Sequence, residues 1–568
     1  MNVLRMDLNS RTARLETRSD ELTGGRHLTA ELVAAEVDPG CDPLSPENIL
    51  VWATGPLAGW RISCGDRLSL GGKSPLTGGI KESNSGGQVA GALAGLGLRA
   101  LVVSGALPPD EPGLIVVDGP DEVRFLSASG YWGLRLEALA ARLKADFGDG
   151  YALIAIGPAG EMHLPAAAVC TTDVRGDPFR FQARGGLAAV MGSKGLKAIL
   201  IRNASPASSR HLRPTDKAFK AAVRAFHQAV SGNPRVDVLR TYGTASTIML
   251  THSLGALPTR NFRQGTFEAA EAISGEALHE LITGRGGEGT PTEPCMAGCI
   301  IQCSNIVPDA QGRRLVARLE YETLVMCGSN LGIGDLDAIA RINQECNDLG
   351  LDTIEVGATL GVAAEAGAWS FGDRARALAL VQEIGQGTLL GRLLGQGAAT
   401  VGRVLGVRRV PAVKGQALPA YDPRGVKGTG VTFATSPMGG DHTAGLTIFA
   451  PVDHHRAEGQ VALSRGTQYT RAAYDALGLC AFLLGSTGSR PELVTDMLNA
   501  AYGTNLEPGW VTQTGREVIE IERAFNRRAG LTAASDRLPR FFSEEPLSPH
   551  GEVFDVPDEE LDAIWEKG

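Results

Sequence analysis

No run in this chain approaches the eighteen or so apolar residues that a membrane-crossing helix needs, which excludes a helical membrane span. Lys and Arg never cluster into a patch able to follow a phosphate backbone, and the net charge of -9 is spread along the chain. Nucleic acid is therefore not an expected partner. The first residues, MNVLRMDLNSRTARLE, alternate polar and apolar side chains and lack the layout of a signal peptide, so a first strand and a cytoplasmic location are expected. Aromatic residues are scarce, at 5%. The nine cysteines, an odd number in a long chain, do not suit a secreted disulfide scaffold.

Glycine is abundant instead, with 73 among 568 residues. It costs backbone entropy, so this many closely spaced turns imply backbone approaching something rigid. The length implies about two to four domains and enough interior to bury a large cofactor. Up to residue 205 the chain reads as short strands rich in Val, Ile and Leu, such as NILVWATG, LRALVVSG, EPGLIVVDG, YALIAIGPAG and LKAILIRNAS, with one helix at LRLEALAARLKADFG. After the polar segment ASPASSRHLRPTD the period becomes helical, in DKAFKAAVRAFHQAVSGNPRVDVL, DLDAIARINQECNDLG, DTIEVGATLGVAAEAGA and DRARALALVQEIGQG. The Pro-rich stretch PAVKGQALPAYDPRG (411–425) marks a second boundary before ELVTDMLNAAYG and GREVIEIERAFNRRAG. The expected organisation is α+β: a strand-rich domain over 1–205 and mainly helical domains over 206–411 and 412–568. No internal repeat stands out.

CMAGCIIQC places Cys295, Cys299 and Cys303 at equal steps of four. Structural zinc usually takes paired CxxC units. A cubane iron-sulfur cluster takes four thiolates, commonly several from one segment and one from afar. A regular helix would part Cys295 from Cys303 by about 12 Å along its axis, so the segment must bend around any cluster it holds. A radical SAM enzyme spaces its cysteines by three and then two residues, whereas the second gap here is three. Cys480, closing YDALGLC, is the remote candidate. The alternative is a set of buried core thiols, which is also the reading for Cys41, Cys64, Cys170, Cys327 and Cys346.

The Gly-rich stretch GGKSPLTGGIKESNSGG (71–87) is neither a P-loop nor a GxGxxG turn. It offers backbone N–H groups beside Lys73, Ser74, Ser83, Asn84 and Ser85, and ARGGLAAVMGSKGLKA (183–198) is a second such loop; each reads as an anion cradle or as an ordinary tight turn. NDLGLD (347–352) and DALGLC (475–480) are nearly the same turn twice. They suggest two similar ligands, or two ordinary helix ends with a left-handed glycine.

Together these segments resemble the aldehyde:ferredoxin oxidoreductase family of tungsten enzymes, from DPLSPENILVWATGPLAG through SPLTGGIKESNSGG, ARGGLAAVMGSKGLKAI, EYETLVMCGSNLG and NDLGLDTIEVG to LPAYDPRG, YDALGLC and FNRRAGLT. The resemblance implies a strand-rich base cradling a tungsten or molybdenum bis-pyranopterin, closed over by two helical domains. It implies pterin contacts at Arg67, Asn84, Ser85, Gly86, Gly87, Arg184, Gly185 and Gly186, and on the two turns at Asn347, Gly350, Leu351 and Asp352 and at Asp475, Gly478 and Leu479. A magnesium ion would bridge the pterin phosphates. Cys295, Cys299, Cys303 and Cys480 would hold a [4Fe-4S] cluster, with Cys480 joining cluster to pterin turn.

Three positions depart from the family pattern. The first gap of the triplet is three residues rather than two, and the first turn begins with Asn347 in place of Asp. Arg341 and Gln344 stand where some members carry the Glu and His of an intersubunit iron, so a homodimer would lack that metal. In the pocket the resemblance implies Glu322 as a base with Tyr321 beside it, His442 as a hydrogen-bond donor to the reacting oxygen, and Tyr421 as a pocket tyrosine. Asp441 would set the charge of His442. The implied reaction oxidises an aldehyde to an acid and passes electrons through the cluster to ferredoxin or an iron-sulfur subunit. The alternatives are a low-potential reductase of an aromatic or thioester substrate and, further off, a non-catalytic electron-transfer subunit.

Overall fold

The structure, a computed structural model, describes residues 1–203 and 217–566. The expected boundary at 205/206 and the segment ASPASSRHLRPTD lie outside them. Twelve strands build the first domain. The first six are β1 (Asn2–Asp7), β2 (Thr12–Thr17), β3 (Leu50–Thr54), β4 (Leu68–Lys73), β5 (Ile80–Ser85) and β6 (Ala100–Ser104). The second six are β7 (Gly113–Gly119), β8 (Glu122–Ser127), β9 (Tyr151–Ile156), β10 (Val169–Thr171), β11 (Arg180–Gln182) and β12 (Leu196–Arg202). The first sheet runs β2-β1-β6-β3-β4-β5 and the second, read from its other edge, β8-β7-β12-β9-β10-β11. Each strand thus recurs six places later. The single parallel pairing recurs as well, β1 with β6 and β7 with β12.

This duplication corrects the expectation of no internal repeat. It is carried by topology, since any Val, Ile or Leu satisfies a buried strand position. The helices repeat too: Gly25–Glu36 precedes β3 and Leu136–Phe147 precedes β9, while Val89–Gly95 precedes β6 and Leu187–Ser193 precedes β12. Only Leu136–Phe147 was expected of these four. The N-terminal segment is a hairpin of two strands rather than one.

Side-chain alternation sorts the core. Leu4, Met6, Trp52, Leu101 and Val103 of one sheet share a cluster with Ile115, Val117, Ile154 and Ile156 of the other. Their neighbours point the opposite way: Val3, Val51 and Val102 pack with the helix Gly25–Glu36, and Leu114, Val116 and Leu153 with Leu136–Phe147. The stretch 71–87 is a hairpin, not an exposed loop. Its two arms pair in the β4–β5 ladder, the Leu76 and Thr77 N–H groups bond the Ser74 hydroxyl and that of Ile80 bonds Asn526. Lys73 is held by the carbonyls of Pro39 and Cys41, and the Ser74 hydroxyl donates to the Gly185 carbonyl at 2.7 Å.

The helical expectations are met at Leu336–Leu349, Thr353–Glu365, Arg374–Gln386, Glu492–Tyr502 and Gly509–Arg528. The segment DKAFKAAVRAFHQAVSGNPRVDVL, expected to be helical, forms two helices among the described residues, Lys217–Ser231 and Pro234–Tyr242. The break falls where Asn233 caps the second helix and Pro234 has no N–H to continue the first. The stretch 411–425 is buried almost throughout and bonds to the first helical part through Ala417 N–H to Glu355 and Ala420 N–H to Glu322, so it is no exposed linker.

Each half of the β domain receives one Gly-Leu turn. Both turns are helix ends with glycine in the left-handed region, φ 72° at Gly350 and 69° at Gly478. A methyl group on Gly157, just past β9, would lie 2.3 Å from the Leu349 carbonyl oxygen, and one on Gly55, just past β3, 1.9 Å from that of Leu477. Only glycine permits such an approach. The hydrogen bonds repeat as well: Ala168 N–H donates to Gly350 O at 2.8 Å and Arg67 N–H to Gly478 O at 3.0 Å.

Candidate active site

The short helix Tyr321–Met326 presents Glu322 toward the turn that carries His442. Glu322 Oε2 accepts from Ala420 N–H at 2.8 Å, and its Oε1 lies 3.9 Å from His442 Nε2 with no hydrogen-bond partner among the described residues. Tyr321 donates its hydroxyl to the Ala420 carbonyl at 2.6 Å. Ala420, which holds Glu322 through its N–H, is thus itself held through its carbonyl. The Tyr321 and Tyr421 rings lie 5.2 Å apart. Burial raises the Glu322 carboxyl above its ordinary value, partly offset by His442.

Asp441 is engaged chiefly by Lys81, with which it forms a buried ion pair. Burial alone would raise its carboxyl, but Lys81 and then Arg184 outweigh that and hold it well below the usual range. Its Oδ1 stands 3.6 Å from His442 Nδ1, too long for a hydrogen bond, and Nδ1 has no partner among the described residues. The expected pairing of Asp441 with His442 is therefore electrostatic and shared with Lys81.

Glu322, His442, Tyr321 and Tyr421 line one cavity of about 910 Å³, together with Arg67, Arg471 and Cys480. A second cavity of about 200 Å³ is lined by Arg67, Asn84, Ser85 and Gly86 of the β domain and by Asn347 and Leu351 of the first turn. The two share Arg67 and Glu320. The remaining residues of the expected set serve the protein's own packing. Arg184 pairs with Asp352 at 2.9 Å and lies 3.6 Å from Glu355, while Gly185 and Gly186 pack on Lys81 and Pro165. Asp475 accepts from Asn84 and pairs with Arg471, both at 3.0 Å. Leu479 is buried in the small core around the thiols.

Sequence reasoning missed three arginines here. Arg180 and Arg318 line the second cavity and Arg471 the first. Arg180 Nε, Arg318 Nε and Nη1, and Arg471 Nη1 are buried without hydrogen-bond partners among the described residues. Burial, and then the neighbouring Arg180, push Arg318 down to about 10, against the pull of Asp173, Glu293 and Glu320. Such a donor-rich layer fits an anionic, polar heterocycle. The spacing of Arg471 four residues before Asp475 was a readable signal.

Cys295, Cys299, Cys303 and Cys480 are all buried in that small core. Cys64, read from sequence as an isolated thiol, is with them, its Sγ 3.5 Å from Cys299 Sγ. Burial holds the Cys303 and Cys480 thiols above their usual range, and for Cys295 the bond with Cys299 does so first. Cys299 is pushed up to about 12: its bond with Cys295 lowers it, but Cys64 and burial raise it more. Thiolates this crowded ionise together only beside a strong positive charge. Among the described residues no group of three or more His, Cys, Asp or Glu side chains is placed to hold a single metal ion. The N–H of Cys480 bonds Cys64 O at 2.9 Å, and the Gly87 N–H bonds Cys295 O at 2.8 Å, tying both elements to the cavity wall.

A family model described as the N-terminal domain of aldehyde ferredoxin oxidoreductase matches residues 3–203, and one described as domains 2 and 3 of the same enzyme matches residues 221–567. The chain belongs to the aldehyde ferredoxin oxidoreductase family. Its relatives include tungsten-containing aldehyde ferredoxin oxidoreductases of Thermococcus kodakarensis, 34% identical over 96% of this chain and 92% of the relative, and of Pyrococcus horikoshii, 33% identical over 97% and 92%. An aliphatic sulfonate oxidoreductase WOR-like subunit of Pyrococcus furiosus is 25% identical over 93% of this chain and 86% of its own length. The active-site complex BamBC of benzoyl coenzyme A reductase shares the fold, with a TM-score of 0.81 at 19% identity over 100% of this chain and 93% of the other. As a family member the protein is an oxidoreductase of mixed α+β architecture. Among the described residues no helix is long and apolar enough to cross a membrane.

Proposed function

We propose that this family member oxidises an aldehyde to a carboxylic acid at a tungsten bis-pyranopterin held between the β domain and the helical parts. Electrons would leave through a [4Fe-4S] cluster on Cys295, Cys299, Cys303 and Cys480 to ferredoxin or an iron-sulfur subunit. One observation carries the reading: Cys480 lines the cavity of Glu322 and His442 and also belongs to the group of buried thiols. A single residue would thus link the redox cavity to the exit for single electrons.

Oxidation of RCHO with water to RCOOH releases two electrons and two protons. The bound tungsten pterin supplies the two-electron redox capacity, and the protein supplies orientation and proton handling. Glu322 is the proton acceptor through Oε1, its carboxylate oxygen without a hydrogen-bond partner among the described residues. His442, through Nε2, hydrogen-bonds the substrate carbonyl oxygen and makes its carbon more electrophilic. Tyr321 is a positioning residue, since its hydroxyl is bound to Ala420, and Tyr421 shapes the pocket wall. Arg67, Asn84, Asn347 and the orphaned arginine donors would hold the pterins, with a magnesium ion between their phosphates by family resemblance.

The test is metal and pterin analysis of protein purified without oxygen, followed by a viologen-linked aldehyde panel. About four iron per chain, with tungsten or molybdenum and pterin, is expected together with aldehyde-dependent viologen reduction. Iron without either metal, and without pterin, would sink the reading.

A further inference from the structure

Among the described residues, the cavity that holds Glu322 and His442 carries one guanidinium with neither an ion pair nor a side-chain hydrogen bond, Arg235. Four basic side chains line it: Arg67, Arg235, Arg471 and His442. Arg67 donates to Asn84, Arg471 pairs with Asp475, and His442 faces Glu322. Of the acids, Glu322 is held by Ala420, and Glu320 accepts from Thr244 at 2.6 Å and Ser304 at 3.1 Å. Arg235 has no ion pair and no side-chain hydrogen bond among the described residues. Its guanidinium carbon lies 3.5 Å from the centre of the Phe449 ring, which is 39% exposed at the cavity wall.

Its place in the chain makes that cation harder to explain as packing. Arg235 is the second residue of the helix Pro234–Tyr242, where the backbone dipole repels positive charge. The acid in that first turn, Asp237, pairs with Arg240 at 3.1 Å rather than with Arg235. Burial lowers the Arg235 guanidinium below its usual range, and only Tyr421 acts against that. A half-buried guanidinium kept without a counter-charge costs free energy unless a ligand supplies one. Leu446, Leu463 and Leu484 line the same cavity and suit a methylene chain.

We propose that Arg235 docks a carboxylate carried at the far end of the aldehyde substrate, so that the enzyme prefers acid-bearing aldehydes to neutral ones. The inference rests on the aldehyde-oxidising reading of this cavity and names the substrate class for it. A lone guanidinium balances a single negative charge, and its planar fork matches a carboxylate. The aldehyde end then lies toward Glu322 and His442, and the carboxylate toward Phe449.

The test compares kcat/KM of the holoenzyme for succinic semialdehyde against butanal and for glutaric semialdehyde against pentanal. Wild type should favour at least one acid over its neutral partner by about ten- to a hundredfold, the range of a charge-assisted hydrogen bond. R235Q should erase that ratio and R235K keep part of it. Equal rates in wild type, or a preference that survives R235Q, overturns the proposal. If no aldehyde is oxidised, the functional reading falls, and binding of glutarate to the holoenzyme decides this one. A rise in unfolding temperature in wild type that R235Q abolishes supports the site; no rise overturns it.

Discussion

Glu322 and His442 face one another across 3.9 Å, each with one ring or carboxylate atom that the protein leaves unbonded. Buried polar atoms are normally satisfied, because leaving one bare costs about 1–3 kcal/mol. The bare Glu322 Oε1, which faces His442 Nε2 in one cavity, is better explained by a reacting ligand than by packing, whereas the bare atom of His442 is Nδ1, on the side of Asp441.

E322Q tests that assignment. The amide keeps the shape of the side chain and can still accept from Ala420 N–H, but it cannot take a proton. Turnover should fall by about 10²–10⁴, the usual contribution of a general base, with tungsten and pterin content unchanged. Loss of cofactor instead would make Glu322 a structural residue.

The pH profile should move with the same group. A base must be ionised, and burial raises the Glu322 carboxyl above the ordinary 4.5, so kcat should climb with pH through an inflection above that value. The stability term has the opposite sign. A raised carboxyl favours the protonated native state, so its contribution is full below 4.5 and fades as pH rises through the folded value. E322Q should flatten both slopes; an acid limb that survives the substitution would belong to another group.

The docking glycines offer a stability test with an internal control. Ala at Gly55 or Gly157 would drive a methyl group into the Leu477 or Leu349 carbonyl, whereas Gly91, inside the helix Val89–Gly95, has open space around it. G55A and G157A should each cost about 1–3 kcal/mol or more and lower cofactor content, because they part the β domain from a pterin turn. G91A should be neutral or stabilising by about 0.4–1 kcal/mol. Thermal unfolding of the three variants, with metal content measured alongside, separates these outcomes.

Features confined to a few neighbouring residues were legible in the sequence. The thiol triplet showed in its spacing, the Gly-Leu turns in their helix-end pattern, and the helices in apolar steps of three and four. β4 and β5 were not, since Gly71, Gly72, Lys73 and the run Ser83 to Ser85 are weak strand formers that a ladder overrides. The duplication of the sheets was hidden for the reverse reason, as burial accepts many apolar residues at each place. Arg235 gave no signal, because what distinguishes it is a counter-charge missing in three dimensions. Cys64 stands alone in RISCGDR and meets the other thiols of its core through contacts with residues far along the chain, Cys299 among them 235 residues away.

That contact leads to a prediction about the cluster's surroundings. Cys64 Sγ and Cys299 Sγ lie 3.5 Å apart, and Cys64 adopts a left-handed φ of 61°, unusual for a residue with a side chain. With Cys299 engaged by iron, Cys64 would stay a bystander. Once iron is stripped with a chelator, the two thiols are free, and diamide should join them by taking two electrons and both protons to leave one disulfide. Peptide mapping of the stripped, oxidised protein should recover a Cys64–Cys299 cross-link, which the iron-loaded protein resists. C64S should keep about four iron per chain yet lose the cross-link. If C64S instead loses iron, Cys64 belongs among the ligands, and one member of the evenly spaced triplet does not.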